Sequence, residues 1–65
     1  MKTAPQDIRI VIADAQPIFR TGLHRALDAE PRFTVVGETG DGAEVVALVD
    51  SLEPDLLLLD PDLAR

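Results

Sequence analysis

The sequence predicts an α/β fold built on a three-stranded parallel sheet, in the order strand, helix, strand, helix, strand. Three observations predict it. Three short apolar runs stand far apart, two stretches between them repeat apolar residues at helical spacing, and the connections are short. Strands that alternate with helices are the signature of right-handed crossovers in one parallel sheet. The 65 residues form one domain over 1–65, with no internal repeat, linker or low-complexity stretch.

The first strand, about residues 8–13, reads Ile-Arg-Ile-Val-Ile-Ala and is apolar on both faces except at Arg9. Such runs suit strands covered on both sides. A helix follows over about 17–29. Pro17 is harmless in a first turn, where its missing N–H would lack a partner anyway. Phe19, Leu23, Ala26 and Leu27 then line one face, and Glu30-Pro31 ends it. The second strand covers about 33–38 (Phe-Thr-Val-Val-Gly-Glu), and Gly37, Gly40 and Gly42 mark a turn after it. The second helix covers about 42–52. Asp41 and Glu44 stand at capping-box spacing before it, Val45, Val46, Leu48, Val49 and Leu52 follow, and Pro54 stops it. The third strand, about 55–59, is Asp-Leu-Leu-Leu-Leu, too short between Pro54 and Asp60-Pro61 for a helix.

Two strand orders fit this alternation. If both crossovers run the same way, the order is 1-2-3 and both helices share a face. If the chain reverses, the order is 2-1-3, with one helix on each face. The first strand is apolar on both sides, which favours a central position and hence 2-1-3. In that order the first and third strands are neighbours, and the crossover direction reverses between them. Open parallel sheets bind ligands outside the strand carboxyl ends at such a point. The residues just past those ends are Asp14 and Asp60, with Asp62 two further on. Adjacent strands lie about 4.8 Å apart, so Asp14 and Asp60 can reach one ion. Carboxylate oxygens without His or Cys beside them suit Mg²⁺ rather than zinc or copper.

Composition narrows the function. The chain is 46% hydrophobic and 28% charged, as expected of a globular protein, with a net charge of −6. That acidity, with no basic stripe and two phenylalanines as the only aromatics, argues against direct nucleic-acid binding. No apolar run approaches the roughly 20 residues needed to span a bilayer, and residues 1–7 lack a signal-peptide core, so a cytoplasmic location is expected. Cysteine is absent, which excludes disulfides and thiolate metal sites. So small a chain then needs a bound cation, self-association, or the remainder of a larger domain.

Several segments carry a family resemblance. Ile10-Val11-Ile12-Ala13-Asp14-Ala15-Gln16-Pro17 resembles the opening of NarL/FixJ (LuxR-type) response regulators, usually Ile-Ala-Asp-Asp-His-Pro. Val35-Val36-Gly37-Glu38 and Asp41-Gly42-Ala43-Glu44 are similar to their second strand and second helix start. Pro54-Asp55-Leu56-Leu57-Leu58-Leu59-Asp60 resembles the segment ending in their phosphoacceptor aspartate. Each motif is weak alone; four in order, over about residues 8–63, are specific together.

The resemblance implies a flavodoxin-like receiver fold, cut to its first half, in a two-component signalling response regulator. Asp60 would accept a phosphoryl group from the phosphohistidine of a sensor histidine kinase. Mg²⁺ would be held by Asp14, Asp60 and the backbone carbonyl of Asp62. A DNA-binding part, absent here, would control transcription, and the chain would not be an enzyme. Departures from the pattern matter too. Ala15 replaces the second acid of the metal pair, which weakens the expected Mg²⁺ site, and Gln16 replaces a common His. Leu63-Ala64 replaces the common Met-Pro or Leu-Pro. The family's later Ser/Thr and Lys lie beyond Arg65, and Lys2, before the first strand on the other side of the sheet, cannot replace them. A third strand with an open apolar edge predicts self-association.

Two other readings stay open. Ala15 favours a degenerate receiver that acts through protein contacts without phosphorylation. Leu59-Asp60-Pro61-Asp62 superficially resembles the Asp-x-Asp nucleophile motif of haloacid-dehalogenase-type phosphotransferases, although that motif sits early in much longer chains. Two further features have plain structural explanations. His24, with Arg20 and Asp28 at four-residue spacing, reads as a solvated helix face worth roughly 0.2–0.5 kcal/mol per pair. The three glycines do not have dinucleotide-loop spacing and read as turn residues.

Overall fold

The computed structural model describes residues 7–63; Lys2 and Ala64, and with them the readings made at those positions, lie outside the described residues. Five main elements follow one another: β1 (Ile8–Ala13), α1 (Pro17–Asp28), β2 (Phe33–Thr39), α2 (Val45–Leu52) and β3 (Leu56–Leu59). The sheet is parallel with order β2-β1-β3. The first strand is therefore central, as its two apolar faces require. Ile10, Val11, Ile12 and Ala13 are fully buried and form the core.

The faces follow from the register. Ile10 and Ile12 pair with Leu56 and Leu58, while Val11 and Ala13 pair with Leu57 and Leu59. Paired residues share a face. Phe19 and Leu23 of α1 meet Ile12 and Leu58 in one groove, so α1 covers the Ile10/Ile12 face. Leu48 and Leu52 of α2 approach Val11 and Gly37, so α2 covers the opposite face. One helix on each side is the outcome of two right-handed crossovers in opposite directions. The α1 face is only partly covered: Phe19 stays 54% exposed although it lies on the expected apolar stripe.

The β1–β2 ladder contains a one-residue slip. Ile10 pairs with Val35, but Val11 pairs with Gly37, which leaves Val36 as an extra residue on β2. A slip of one residue reverses which face each following side chain meets. Gly37 consequently points towards α2, and Glu38, opposite Ile12, lies on the α1 face. This corrects the reading of Gly37 as a turn residue. It is a strand residue, and a Cβ there would stand 2.7 Å from Leu52 Cδ1, so glycine lets Leu52 close over the sheet without a shift of its terminal methyl.

Four element limits differ from the sequence expectation. α1 stops at Asp28 instead of 29, because Ala29 is its C-cap and the Glu30 amide bonds the Leu27 carbonyl in a tighter turn. β2 runs on to Thr39 because Thr39 pairs with Ala13 and accepts the Asp14 amide at 3.0 Å. The second helix begins as a 3₁₀ turn, Gly42–Glu44, and becomes α-helical only at Val45. β3 starts at Leu56 instead of 55, because the Asp55 carboxylate takes the Arg9 amide at 2.9 Å.

The expected capping box also takes another form. The Asp41 side chain accepts from the Ala43 amide, but Glu44 does not reach back to the Asp41 amide. The buried Thr39 hydroxyl stands between them, accepting from Asp41 N at 3.0 Å and donating to Glu44 Oε1 at 2.6 Å. At its other end, α2 closes on Glu53, whose φ of 49° is left-handed and whose amide bonds the Val49 carbonyl. The helix therefore ends at Leu52, and Glu53 between it and Pro54 is a left-handed cap position more commonly occupied by glycine.

Candidate functional site

Asp14 and Asp60 leave the sheet side by side. Ala13 and Leu59 are paired, so the two aspartates are the next residues on adjacent strands and share the α1 face at the carboxyl rim. The Asp60 amide donates to the Ala13 carbonyl at 2.9 Å, and the Asp14 amide donates to Thr39 O at 3.0 Å. Both aspartates thus stand on ladder hydrogen bonds rather than on a free loop. They line one open groove with Ile12, Phe19, Leu23, Leu58 and Leu59.

Each carboxylate is oriented by the chain that follows it. Asp14 is buried, and its Oδ1 accepts the Gln16 amide at 2.8 Å, directing the backbone into Pro17 and α1. Asp60 is half-buried, and its Oδ1 accepts the Asp62 amide at 3.0 Å while its carbonyl accepts the Leu63 amide at 3.0 Å. Aspartate suits both positions because it can bond the amide two residues on and so start a turn. Asp62 is exposed and does not line the groove with the other two. Among the described residues no group of three or more His, Cys, Asp or Glu gathers to hold a metal ion. The pair Asp14–Asp60 is what the fold assembles, and Ala15 adds no third acid.

This donor set fits Mg²⁺ in kind. Mg²⁺ commonly takes one or two carboxylates, keeps several waters and completes its shell with phosphate oxygens. One oxygen of each aspartate, Asp14 Oδ1 and Asp60 Oδ1, accepts a backbone amide.

The structure adds contacts that the linear pattern did not show. Arg20, one turn into α1, donates from Nη1 to the Asp14 carbonyl at 2.5 Å and pairs through Nε with Glu38 Oε1 at 3.6 Å. His24, one turn further on, contacts the other Glu38 oxygen through Nδ1 and Asp28 through Nε2 at 3.3 Å. The helix face expected to be merely solvated is therefore bound to β2 through Glu38. Its i, i+4 spacing was visible in the sequence; the partner was not, because the slip at Val36 decides where Glu38 points. Gly40 and Gly42 do lie beyond β2, and each makes room: for the Arg20 guanidinium at Gly40 and for the Leu63 carbonyl at Gly42.

Comparison with known proteins agrees with this architecture. The transcriptional regulatory protein YxjL of Bacillus subtilis is 40% identical over 58 residues, 89% of this chain and 27% of that protein. The nitrate/nitrite response regulator protein NarL of Escherichia coli K12 is 43% identical over 51 residues, 78% of this chain and 24% of that protein. Among solved structures, the signal receiver domain of NarL from Mycobacterium tuberculosis superposes with a TM-score of 0.82 at 43% identity, covering 86% of this chain and 45% of that one. The response regulator domain of Thermotoga maritima CheB gives a TM-score of 0.77 at 33% identity, covering 80% and 39%. No protein-family model matches the chain. The chain spans about a quarter of the curated relatives it matches and under half of each solved domain.

Proposed function

Because the chain is homologous over most of its length to NarL/LuxR-family response regulators and has the fold of the first half of their receiver domain, we propose that it is a receiver module in which Asp60 accepts a phosphoryl group from a sensor histidine kinase. The observation that carries this reading is the placement of Asp14 and Asp60 on adjacent strand ends, in one groove at the sheet's topological switch point. In the step, an Asp60 carboxylate oxygen attacks the phosphorus of a phosphohistidine. A P–O bond forms, the P–N bond breaks, and the departing imidazole keeps the electron pair and takes a proton from water.

Asp14, Asp60 and the Asp62 backbone carbonyl would hold Mg²⁺. When bound, Mg²⁺ would supply the positive charge that lets two anions approach each other. The protein's own part is to hold the nucleophile. Asp60 is fixed by its ladder bond to Ala13 and by the turn through Asp62 and Leu63. In this reading the chain is a stoichiometric acceptor and not an enzyme. It is cytoplasmic, contacts no nucleic acid or membrane itself, and acts on transcription through a DNA-binding part. Among the described residues no helix is long and apolar enough to cross a membrane. Leu56 and Leu59, each about two-fifths exposed, support self-association through the outer edge of β3.

A second reading rests on Ala15. With a single acid at the end of β1, the chain would serve as a receiver-shaped interaction module that takes no phosphoryl group. Incubation with acetyl phosphate and Mg²⁺ separates the two. The first reading expects a hydroxylamine-sensitive gain of one phosphoryl mass, lost in Asp60→Asn, in this chain or in this chain joined to the rest of a homologous receiver. No adduct in either leaves only the interaction module.

A further inference from the structure

We propose that Arg20 is a positioning residue for Asp14, and that Gly40 is present to admit it. The Arg20 guanidinium spans three elements. It is on α1, its Nε faces the Glu38 carboxylate of β2, and its Nη1 donates to the Asp14 carbonyl at the end of β1. The Asp14 carbonyl belongs to the peptide that leads into Ala15, in the short turn closed by the Gln16 amide on Asp14 Oδ1. Holding that carbonyl fixes the peptide plane and restricts how the carboxylate can turn. A charge-assisted hydrogen bond of this kind is roughly twice as strong as a neutral one.

Gly40 supplies an independent observation. No glycine among the described residues has a positive φ, so the backbone at position 40 does not require one. The space does. A Cβ on Gly40 would stand 2.6 Å from Arg20 Nη1 and 3.5 Å from the Asp14 carbonyl oxygen. The first distance is a collision and the second is ordinary contact. Any side chain at position 40 would push the guanidinium off the Asp14 carbonyl while leaving its charge and Glu38 in place. Glu38 in turn reaches Arg20 only because the slip at Val36 brings it to the α1 face. Partners that orient the ligands of a metal commonly set its affinity within a factor of about 10–100. The inference rests on the reading of Asp14 as a cation-binding residue, and its test separates the two.

The test uses Arg20→Ala, Gly40→Ala and the double variant of the 65-residue chain, with slow amide exchange across Ile10–Ala13 as the check that the sheet is intact. Two quantities are read: exchange at the Gln16 amide without metal, and Mg²⁺ affinity from amide shifts on titration. Each single variant should expose the Gln16 amide by roughly tenfold, as expected for losing one strong hydrogen bond. Each should also weaken Mg²⁺ by about tenfold. The double variant should match Arg20→Ala alone, because Gly40→Ala acts only through Arg20. Additive effects, or an unchanged Gln16 amide in either single variant with the sheet intact, overturn the proposal. If the unsubstituted chain takes no Mg²⁺, the cation reading of Asp14 fails, and the metal-free Gln16 amide alone decides whether Arg20 positions the turn.

Discussion

The Asp60 amide donates to the Ala13 carbonyl at 2.9 Å, so the proposed phosphoacceptor is tied by its own backbone to the strand that carries Asp14. This bond continues the β1–β3 ladder one residue past Leu59 and sets the two carboxylates at neighbouring positions on one rim. A rigid ladder places a reacting group more reproducibly than a mobile loop.

Asp60→Asn removes the nucleophile and keeps an Oδ1 acceptor for the Asp62 amide. The phosphoryl adduct formed from acetyl phosphate should disappear from the intact mass, with stability in urea changed by less than about 0.5 kcal/mol. An adduct that persists in this variant places the acceptor elsewhere.

Ala15→Asp restores a second acid at the end of β1. A pair of unit charges about 4 Å apart is worth roughly 1 kcal/mol even in bulk water, and a divalent ion doubles it. Mg²⁺ affinity, followed by titration calorimetry, should rise by about tenfold or more. The converse change, Asp14→Asn, should lower it while retaining the acceptor for the Gln16 amide.

Gly37→Ala drives a methyl group against Leu52, whose Cδ1 would lie 2.7 Å away. Because the obstacle is the terminal methyl of a flexible side chain, the cost in urea denaturation should fall at the low end for overpacking, about 1 kcal/mol. Trimming the obstacle with Leu52→Ala should make the pair distinctly less damaging than the sum of the single changes. Simple additivity would show that the two positions are not in contact.

Glu53→Gly relieves the left-handed C-cap of α2. The strain removed is about 1–2 kcal/mol, and the added freedom of the unfolded chain takes back about 0.4–1 kcal/mol. A net gain near 0.5 kcal/mol is expected in the same denaturation experiment, since the bond from Arg9 Nη1 goes to the backbone carbonyl of residue 53, which glycine keeps.

Leu56→Lys places a charge on the outer strand at a residue 42% exposed. Charged edge residues discourage strand-to-strand pairing. The self-association proposed through this edge should then weaken, seen in sedimentation velocity as a shift towards monomer; an unchanged distribution would mean that β3 is not the contact.

Much of this was legible in the linear pattern, because it depends on local periodicity. Ile8 to Ala13 reads as a buried strand, and Pro17 marks a helix start wherever the chain lies. The two-sided apolarity of that strand also pointed to the 2-1-3 order, and with it to Asp14 beside Asp60. Tertiary structure alone decided the slip at Val36, since register follows from how a sheet packs against its helices. Here Leu52 closes over Gly37, and the slip turns Gly37 to α2 and Glu38 to α1. The reach of Arg20 to Asp14, the room left by Gly40, and the Thr39 hydroxyl between Asp41 and Glu44 likewise join residues from different elements. Periodicity reports which side of an element is apolar. Which polar groups meet across elements is set by distances of a few ångströms that only the packed chain defines.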